Sequence, residues 1–173
     1  MQNSCLQLRA FKPEDQEPML CILTDPQISQ TYMLPDFESR HAAMPLFCRL
    51  SELSRNPERY VRCIALDGAV IGFLNDVEIR EGSIELGYCI HPHFQGQGHM
   101  TAALTAAVKE LSRLGFREVI AGAFEENAPS IRVMEKCGMT RLAETDEIIY
   151  RGKTHRCVYY HLLLKRGNEC DEC

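Results

Sequence analysis

Gln95-Gly96-Gln97-Gly98-His99-Met100 stands between two stretches of different period. Ahead of it runs Ile84-Glu85-Leu86-Gly87-Tyr88-Cys89-Ile90, apolar and strand-like. Behind it, apolar side chains fall at Met100, Ala103, Leu104, Ala107, Val108, Leu111 and Leu114, the spacing of a helix with one buried face. Glycines at a strand-to-helix junction leave backbone N–H groups unshielded by side chains. At a helix N-terminus those groups and the dipole attract anions. The turn therefore predicts a site for a phosphate or pyrophosphate.

Three readings of the glycines compete. A Walker-type loop ends in Gly-Lys-Ser/Thr, which His99-Met100-Thr101 does not supply. A dinucleotide fingerprint wants a third small residue where Thr101 stands and an acidic residue after the next strand, a place Glu125 or Glu126 fills only loosely. It also wants several βαβ units, whereas the chain beyond Gly98 reads as one strand, one helix and a hairpin. The plain alternative is a tight turn that caps a helix.

Working outward, Leu6-Gln7-Leu8-Arg9 alternates as a first strand, and residues 14–23 form a short helix stopped ahead of Pro26. Residues 27–38, with Tyr32, Pro35 and Phe37, read as a loop. Met44, Leu46, Phe47, Leu50 and Leu53 mark one face of a second helix. Strands at 60–66 and 69–79 meet at Asp67-Gly68, a two-residue hairpin signal, and Glu81-Gly82 turns the chain into the strand that carries Glu85. Gly115 closes the long helix. Residues 118–124 form a buried strand, Pro129 fits the first turn of another helix, and strands at 142–150 and 154–164 pair across Arg151-Gly152-Lys153. The expectation is a single domain over 1–173, a mixed, mostly antiparallel α/β sheet flanked by helices.

The order strand, Gln-Gly-x-Gly turn, long helix, strand, Glu-Asn, short helix, Lys-Cys-Gly-Met, hairpin resembles the GNAT superfamily of acetyl-CoA-dependent N-acetyltransferases. Gln95-x-x-Gly98 is similar to its pyrophosphate loop, Arg/Gln-x-x-Gly-x-Gly/Ala, with Met100 standing where Gly or Ala is usual. The run from Glu126-Asn127 through Ser130 to Glu135-Lys136-Cys137-Gly138-Met139 resembles the second cofactor motif of the branch related to ribosomal-protein N-terminal acetyltransferases. Leu8-Arg9-Ala10-Phe11-Lys12-Pro13-Glu14-Asp15 and Asp25-Pro26 fit its start, so the resemblance covers nearly the whole chain.

The resemblance implies acetyl-CoA as co-substrate and no metal. Gln95, Gly96, Gln97, Gly98, His99 and Met100 would hold the pyrophosphate, and Asn127 and Ser130 would meet the pantetheine arm. A backbone N–H near Cys89, Ile90 or His91 would polarise the thioester carbonyl. Glu85, a carboxylate in an apolar strand with raised proton affinity, matches the general base of some members, and Glu147 is a second candidate one residue out of register. Ser130 would protonate the departing thiolate in place of the usual tyrosine, whose position holds Met134; Tyr150 and Tyr159 are weaker alternatives. For Glu85 the plain alternative is a structural carboxylate, and for Ser130 it is hydrogen bonding at a helix start. His91 and His93 lack metal-ligand spacing and read as loop histidines.

Composition bounds the rest. The 173 residues are 45% hydrophobic and 25% charged, ordinary for a soluble domain with a real core. No membrane span or secretory signal is visible, so the expectation is cytoplasmic. Nine cysteines, most inside apolar segments, should then be reduced; Cys170 and Cys173 have a redox or metal spacing, but a lone terminal pair is poor evidence. The net charge of −5 argues against nucleic acid and favours a cationic acceptor. The expected protein is a monomer or homodimer that acetylates a primary amine, either a protein N-terminal α-amine or a small molecule. A non-catalytic acyl-CoA-binding protein is the reading from another class.

Overall fold

The structure, a computed structural model, describes residues 5–164. Seven strands, β1 (Leu6–Arg9), β2 (Val61–Leu66), β3 (Ala69–Arg80), β4 (Ser83–Ile90), β5 (Glu118–Phe124), β6 (Thr140–Tyr150) and β7 (Lys153–Leu163), form a sheet in the order β1-β2-β3-β4-β5-β7-β6. β4 and β5 run parallel, while β1–β2, β2–β3, β5–β7 and β6–β7 are antiparallel. The helices are α1 (Gln16–Leu23), α2 (Ile28–Thr31), α3 (Met44–Leu53), α4 (His99–Arg113) and α5 (Ala128–Lys136). This is the mixed, mostly antiparallel α/β architecture expected from the sequence.

The chain forms two compact units. The first takes in residues up to 76 and 87–103. Its core joins Phe11, Met19, Ile22 and Leu23 with Ile28, Phe47, Leu50, Cys63, Phe73 and Cys89, all nearly inaccessible to water. Asp67 and Gly68 both have positive φ, 51° and 86°, as a two-residue turn matched to the twist of its strands requires.

Two local expectations need correction. The helix expected from Glu14, where Pro18 argues for a late start or an irregular first turn, begins as a 3-10 turn at Pro13–Asp15, and the α-helix starts at Gln16. The cause is Asp15, whose carboxylate accepts the Lys12 N–H at 2.7 Å and two Arg9 guanidinium bonds at 2.6 and 2.9 Å. Pro18 then falls in the first helical turn, where its missing donor has no partner to lose. The loop expected at 27–38 contains one helical turn, α2. Asp25 caps it by accepting the N–H groups of Gln27 at 2.8 Å and Ile28 at 3.2 Å. Just beyond α2, the Tyr32 hydroxyl donates to Asn75 Oδ1 on β3.

The second unit takes in residues 77–86 and those from 104 onward. Its sheet face carrying Ile84, Leu86, Val119, Ala121, Val158 and Tyr160 is buried. Leu104, Ala107 and Leu111 of α4 and Met134 of α5 are also fully buried, so the helical periodicity read from the sequence marks the covered faces. The pair Cys170 and Cys173 lies outside the described residues.

Candidate active site

In the first unit, β4 ends at Ile90, a 3-10 turn covers Pro92–Phe94, and the glycine turn follows. Gly96 and Gly98 have φ of 72° and 84°, a conformation side chains with a Cβ resist. A Cβ added at either would meet nothing within 4 Å. These glycines therefore serve the backbone path and leave open space beside it, as a bound phosphate group requires.

Two glutamines hold the turn in shape. Gln95 Nε2 donates to the Ile90 carbonyl at 3.1 Å, and Gln97 Nε2 donates to the His93 carbonyl at 2.7 Å. The side chain of Gln95, one of the cofactor-binding residues expected from the sequence, thereby ties the turn to the end of β4. In α4, Ala102 N–H donates to the Gly98 carbonyl at 3.0 Å, so the N–H groups of Gly98, His99 and Met100 precede the helical ladder. The Met100 side chain is buried. Its departure from the family's Gly or Ala is absorbed in the core and does not obstruct the turn.

The sequence left Cys89, Ile90 and His91 open as the donor to a thioester carbonyl. His91 N–H is engaged with the Ile71 carbonyl of β3 at 2.8 Å. Backbone groups of successive strand residues point to opposite edges, so the Ile90 N–H faces away from β3. Ile90 is the better placed of the three. A residue the sequence reading passed over supports this strand end: Gly72 of β3, where a Cβ would lie 2.3 Å from the Cys89 carbonyl oxygen and 3.0 Å from Ile90 Cα. Its sequence signal was a lone glycine inside a strand pattern.

In the second unit, Glu85 pairs across to Ile120, which pairs to His161 on β7. Opposite residues share a face, and so do alternate residues of a strand. Glu85 therefore shares one face with Tyr159 and Cys157, and with Asp146, the partner of Cys157 on β6. Glu147 pairs with Arg156 and takes the other face, exposed. This removes Glu147 from the company of Glu85 and puts Asp146 there, one residue earlier. Half-burial pushes the Glu85 carboxyl up; Glu78 adds to this, Arg80 opposes it, and Asp146 raises it further.

The Tyr159 hydroxyl donates to Asp146 Oδ2 at 2.9 Å, so its proton is committed and it makes a poor general acid. Its ring lies across Gly122, where a Cβ would come 2.9 Å from Tyr159 Cε1. Sequence reasoning gave Asp146 and Gly122 no role, because only register shows which face they occupy.

α5 is preceded by Asn127, whose Oδ1 accepts the Ser130 N–H at 3.3 Å. Asn127 is the cap, and Ser130 contributes only its backbone to that bond. Met134, at the family's tyrosine position, is fully buried. Glu126, beside Asn127, bonds His155 Nδ1 on β7, and the His155 ring stacks on Phe124 at 4.2 Å. Tyr150 lies against the same Phe124, with ring centroids 6.0 Å apart. Among the described residues no cluster of three or more His, Cys, Asp or Glu is arranged to hold a metal, and no helix is long and apolar enough to cross a membrane.

The turn, the sheet order and the helix cap define an acetyltransferase architecture. Residues 6–140 match the acetyltransferase (GNAT) domain, and the chain belongs to that family. It is similar to the uncharacterised N-acetyltransferase YnaD of Bacillus subtilis (strain 168), with 30% identity over 86 residues. That match takes in 49% of this chain and 51% of YnaD, so the chain spans about half the length of this curated relative. Its fold is shared with RimL, a ribosomal α-N-protein acetyltransferase solved in complex with coenzyme A, at a TM-score of 0.82 and 19% identity over 92% of this chain and 94% of that one. It is also shared with spermidine N-acetyltransferase from Vibrio cholerae, solved with CoA and spermine, at a TM-score of 0.76 and 18% identity over 93% and 96%.

Proposed function

We propose that this protein transfers the acetyl group of acetyl-CoA to a primary amine, by direct attack of the amine on the thioester. The observation that carries this reading is the glycine turn, with positive φ at Gly96 and Gly98 and open space beside both, in a chain of the GNAT family. The N–H groups of residues 96–100 would take the pyrophosphate, with Gln95 and Gln97 keeping the turn in register. Asn127 and Ser130, on one face of the first turn of α5, would meet the pantetheine arm.

Glu85 would accept the proton of the attacking amine. Its raised proton affinity, caused first by burial, is a shift in the direction a general base needs. The Ile90 N–H would polarise the carbonyl, and Ser130 would protonate the thiolate. An α-amine has a pKa near ~7.8 and is partly neutral at physiological pH, whereas a lysine amine near ~10.4 is almost wholly charged. A base of modest strength therefore favours an α-amine, and a protein N-terminus is the first acceptor to test. The fold shared with RimL supports that choice. The second reading, a small polyamine, has its own support in the carboxylates Glu78 and Asp146, each of which acts electrostatically on Glu85, and in the fold shared with the spermidine enzyme.

The test is thiol release from acetyl-CoA against a panel of N-terminal peptides, polyamines and monoamines. Turnover with peptides whose α-amine is free, and its loss when that amine is blocked, is the expected result. Release with polyamines alone selects the second reading. Binding of acetyl-CoA without release for any amine would leave an acyl-CoA-binding protein and overturn the proposal.

A further inference from the structure

From Leu86 to Val108 the sequence has no Asp, Glu, Lys or Arg, yet three of the chain's six histidines, His91, His93 and His99, fall in this stretch. They gather around the glycine turn. The rings of His91 and His93 meet edge-on with centroids 5.0 Å apart, His91 meets Phe94 at 6.1 Å, and Phe94 meets His99 at 6.3 Å. Phe94 thus sits between imidazoles that precede the turn and one that opens α4. The three are not equivalent. His91 Nδ1 accepts the His93 backbone N–H at 3.3 Å, and placing a proton on that nitrogen would break the bond. His93 is exposed and His99 half-buried.

A pyrophosphate bridge carries charge that backbone dipoles stabilise only in part. We propose that His93 and His99 supply, as imidazolium side chains, the positive charge this turn otherwise lacks, so that co-substrate binding is proton-linked. The inference rests on the reading of the turn as the pyrophosphate site and adds side-chain recognition to it. An anion held beside an imidazolium ion stabilises its charge, and the imidazolium in turn stabilises the anion. Proton uptake and anion binding therefore favour one another, and imidazole is the side chain whose charge changes between pH 5 and 8. The charged groups to weigh against this are few. Within the segment the titratable groups are the three histidines, Tyr88 and Cys89, whose thiol is held neutral by burial, and among the described residues no carboxylate is ion-paired with any of the three histidines.

The experiment is calorimetric titration with 3′-dephospho-CoA, which keeps the pyrophosphate but lacks the phosphomonoester that itself titrates near ~6. Between about pH 6 and about pH 8, affinity for the unaltered protein should fall about three- to tenfold, the size expected of one or two solvent-exposed charge pairs. Heats measured in two buffers of different ionisation enthalpy should show proton uptake on binding. The variant with His93→Gln and His99→Gln should bind weakly with no pH dependence, and the variant with His93→Lys and His99→Lys should bind tightly with none. A flat profile for the unaltered protein, or a full pH dependence in the glutamine variant, overturns the inference. Gly98→Glu separates the two levels. If it abolishes binding while the histidine variants behave like the parent, the turn holds the pyrophosphate and only the imidazole inference fails. If Gly98→Glu binds like the parent, the pyrophosphate reading fails and takes this inference with it.

Discussion

Gly72→Ala is a one-carbon change whose cost follows directly from the structure. The new Cβ would lie 2.3 Å from the Cys89 carbonyl oxygen, whereas carbon–oxygen contacts settle at about 3.3 Å or more. The Cβ is fixed rigidly to its backbone and the oxygen it meets is a backbone atom, so no side-chain rotation relieves the contact. One strand must move by about 1 Å, and overpacking of this kind costs about 1–3 kcal/mol, sometimes more. For a chain of this size each kcal/mol moves the melting temperature by about 2–4 °C, so a fall of roughly 2–12 °C is expected. The strand end that moves carries the Ile90 N–H, and a misplacement of about 1 Å in a reacting site can cost about 10²-fold in rate.

Gly98→Ala is the control, because a Cβ there meets nothing within 4 Å. Its cost is the positive φ of 84°, about 1–2 kcal/mol for a residue with a Cβ, and its added methyl group occupies the space assigned to the pyrophosphate. Both variants should therefore melt lower, and acetyl-CoA titration and turnover per folded molecule distinguish them. Gly72→Ala should lose stability and turnover while acetyl-CoA affinity per folded molecule holds, and Gly98→Ala should lose affinity first. A Gly72→Ala protein melting within about 1 °C of the parent would refute the close approach of β3 to Cys89. One that melts lower but turns over normally would refute the role given to Ile90.

Three further outcomes follow. Glu85→Gln keeps the shape and removes the basicity, so turnover should fall by about 10²–10⁴ with acetyl-CoA binding intact; the parent's kcat/KM should rise with pH through the raised Glu85 pKa, since only the ionised carboxylate accepts a proton, and a loss of only a few-fold at every pH would make Glu85 structural. Ser130→Ala should lower turnover with little change in melting temperature, because the Asn127 cap uses the Ser130 N–H, which alanine retains; a destabilised, fully active variant would end the acid assignment. Asp15→Asn removes a buried partner of Arg9 and should cost about 3 kcal/mol near neutral pH. Burial alone would raise the Asp15 carboxyl, but Arg9 and the Lys12 N–H hold it below its usual range. Its contribution is therefore present above about pH 4 and lost as pH falls through the lowered value, so urea melts of parent and variant should converge in acid, and a constant gap down to the lowest pH would count against the pair.

What the sequence made legible, and what it did not, divides along a physical line. β5 was read with its true bounds, and α4 within a residue at either end, because periodicity and glycine punctuation are local, printed in a dozen neighbouring residues. α2 was missed because its cap is a side chain, Asp25, which closes a single turn too short to show a period. Glu147 was named as a second candidate and Asp146 was not considered, because a motif fixes distance along the chain, whereas the face a side chain takes depends on register, and a slip of one residue exchanges the faces. β6 carries a register irregularity between Arg141 and Thr145, so counting along that strand from its start cannot recover the alternation. Gly72 and Gly122 were invisible as site residues for a related reason: each is small because of an atom far away in sequence, the Cys89 carbonyl in one case and the Tyr159 ring in the other. The groups that carry the proposed chemistry are named by local motifs, and the groups that aim them are set by pairing between distant strands. That is why the Glu85, Ser130 and glycine-turn variants could be designed from sequence, while Gly72→Ala could be designed only from the fold.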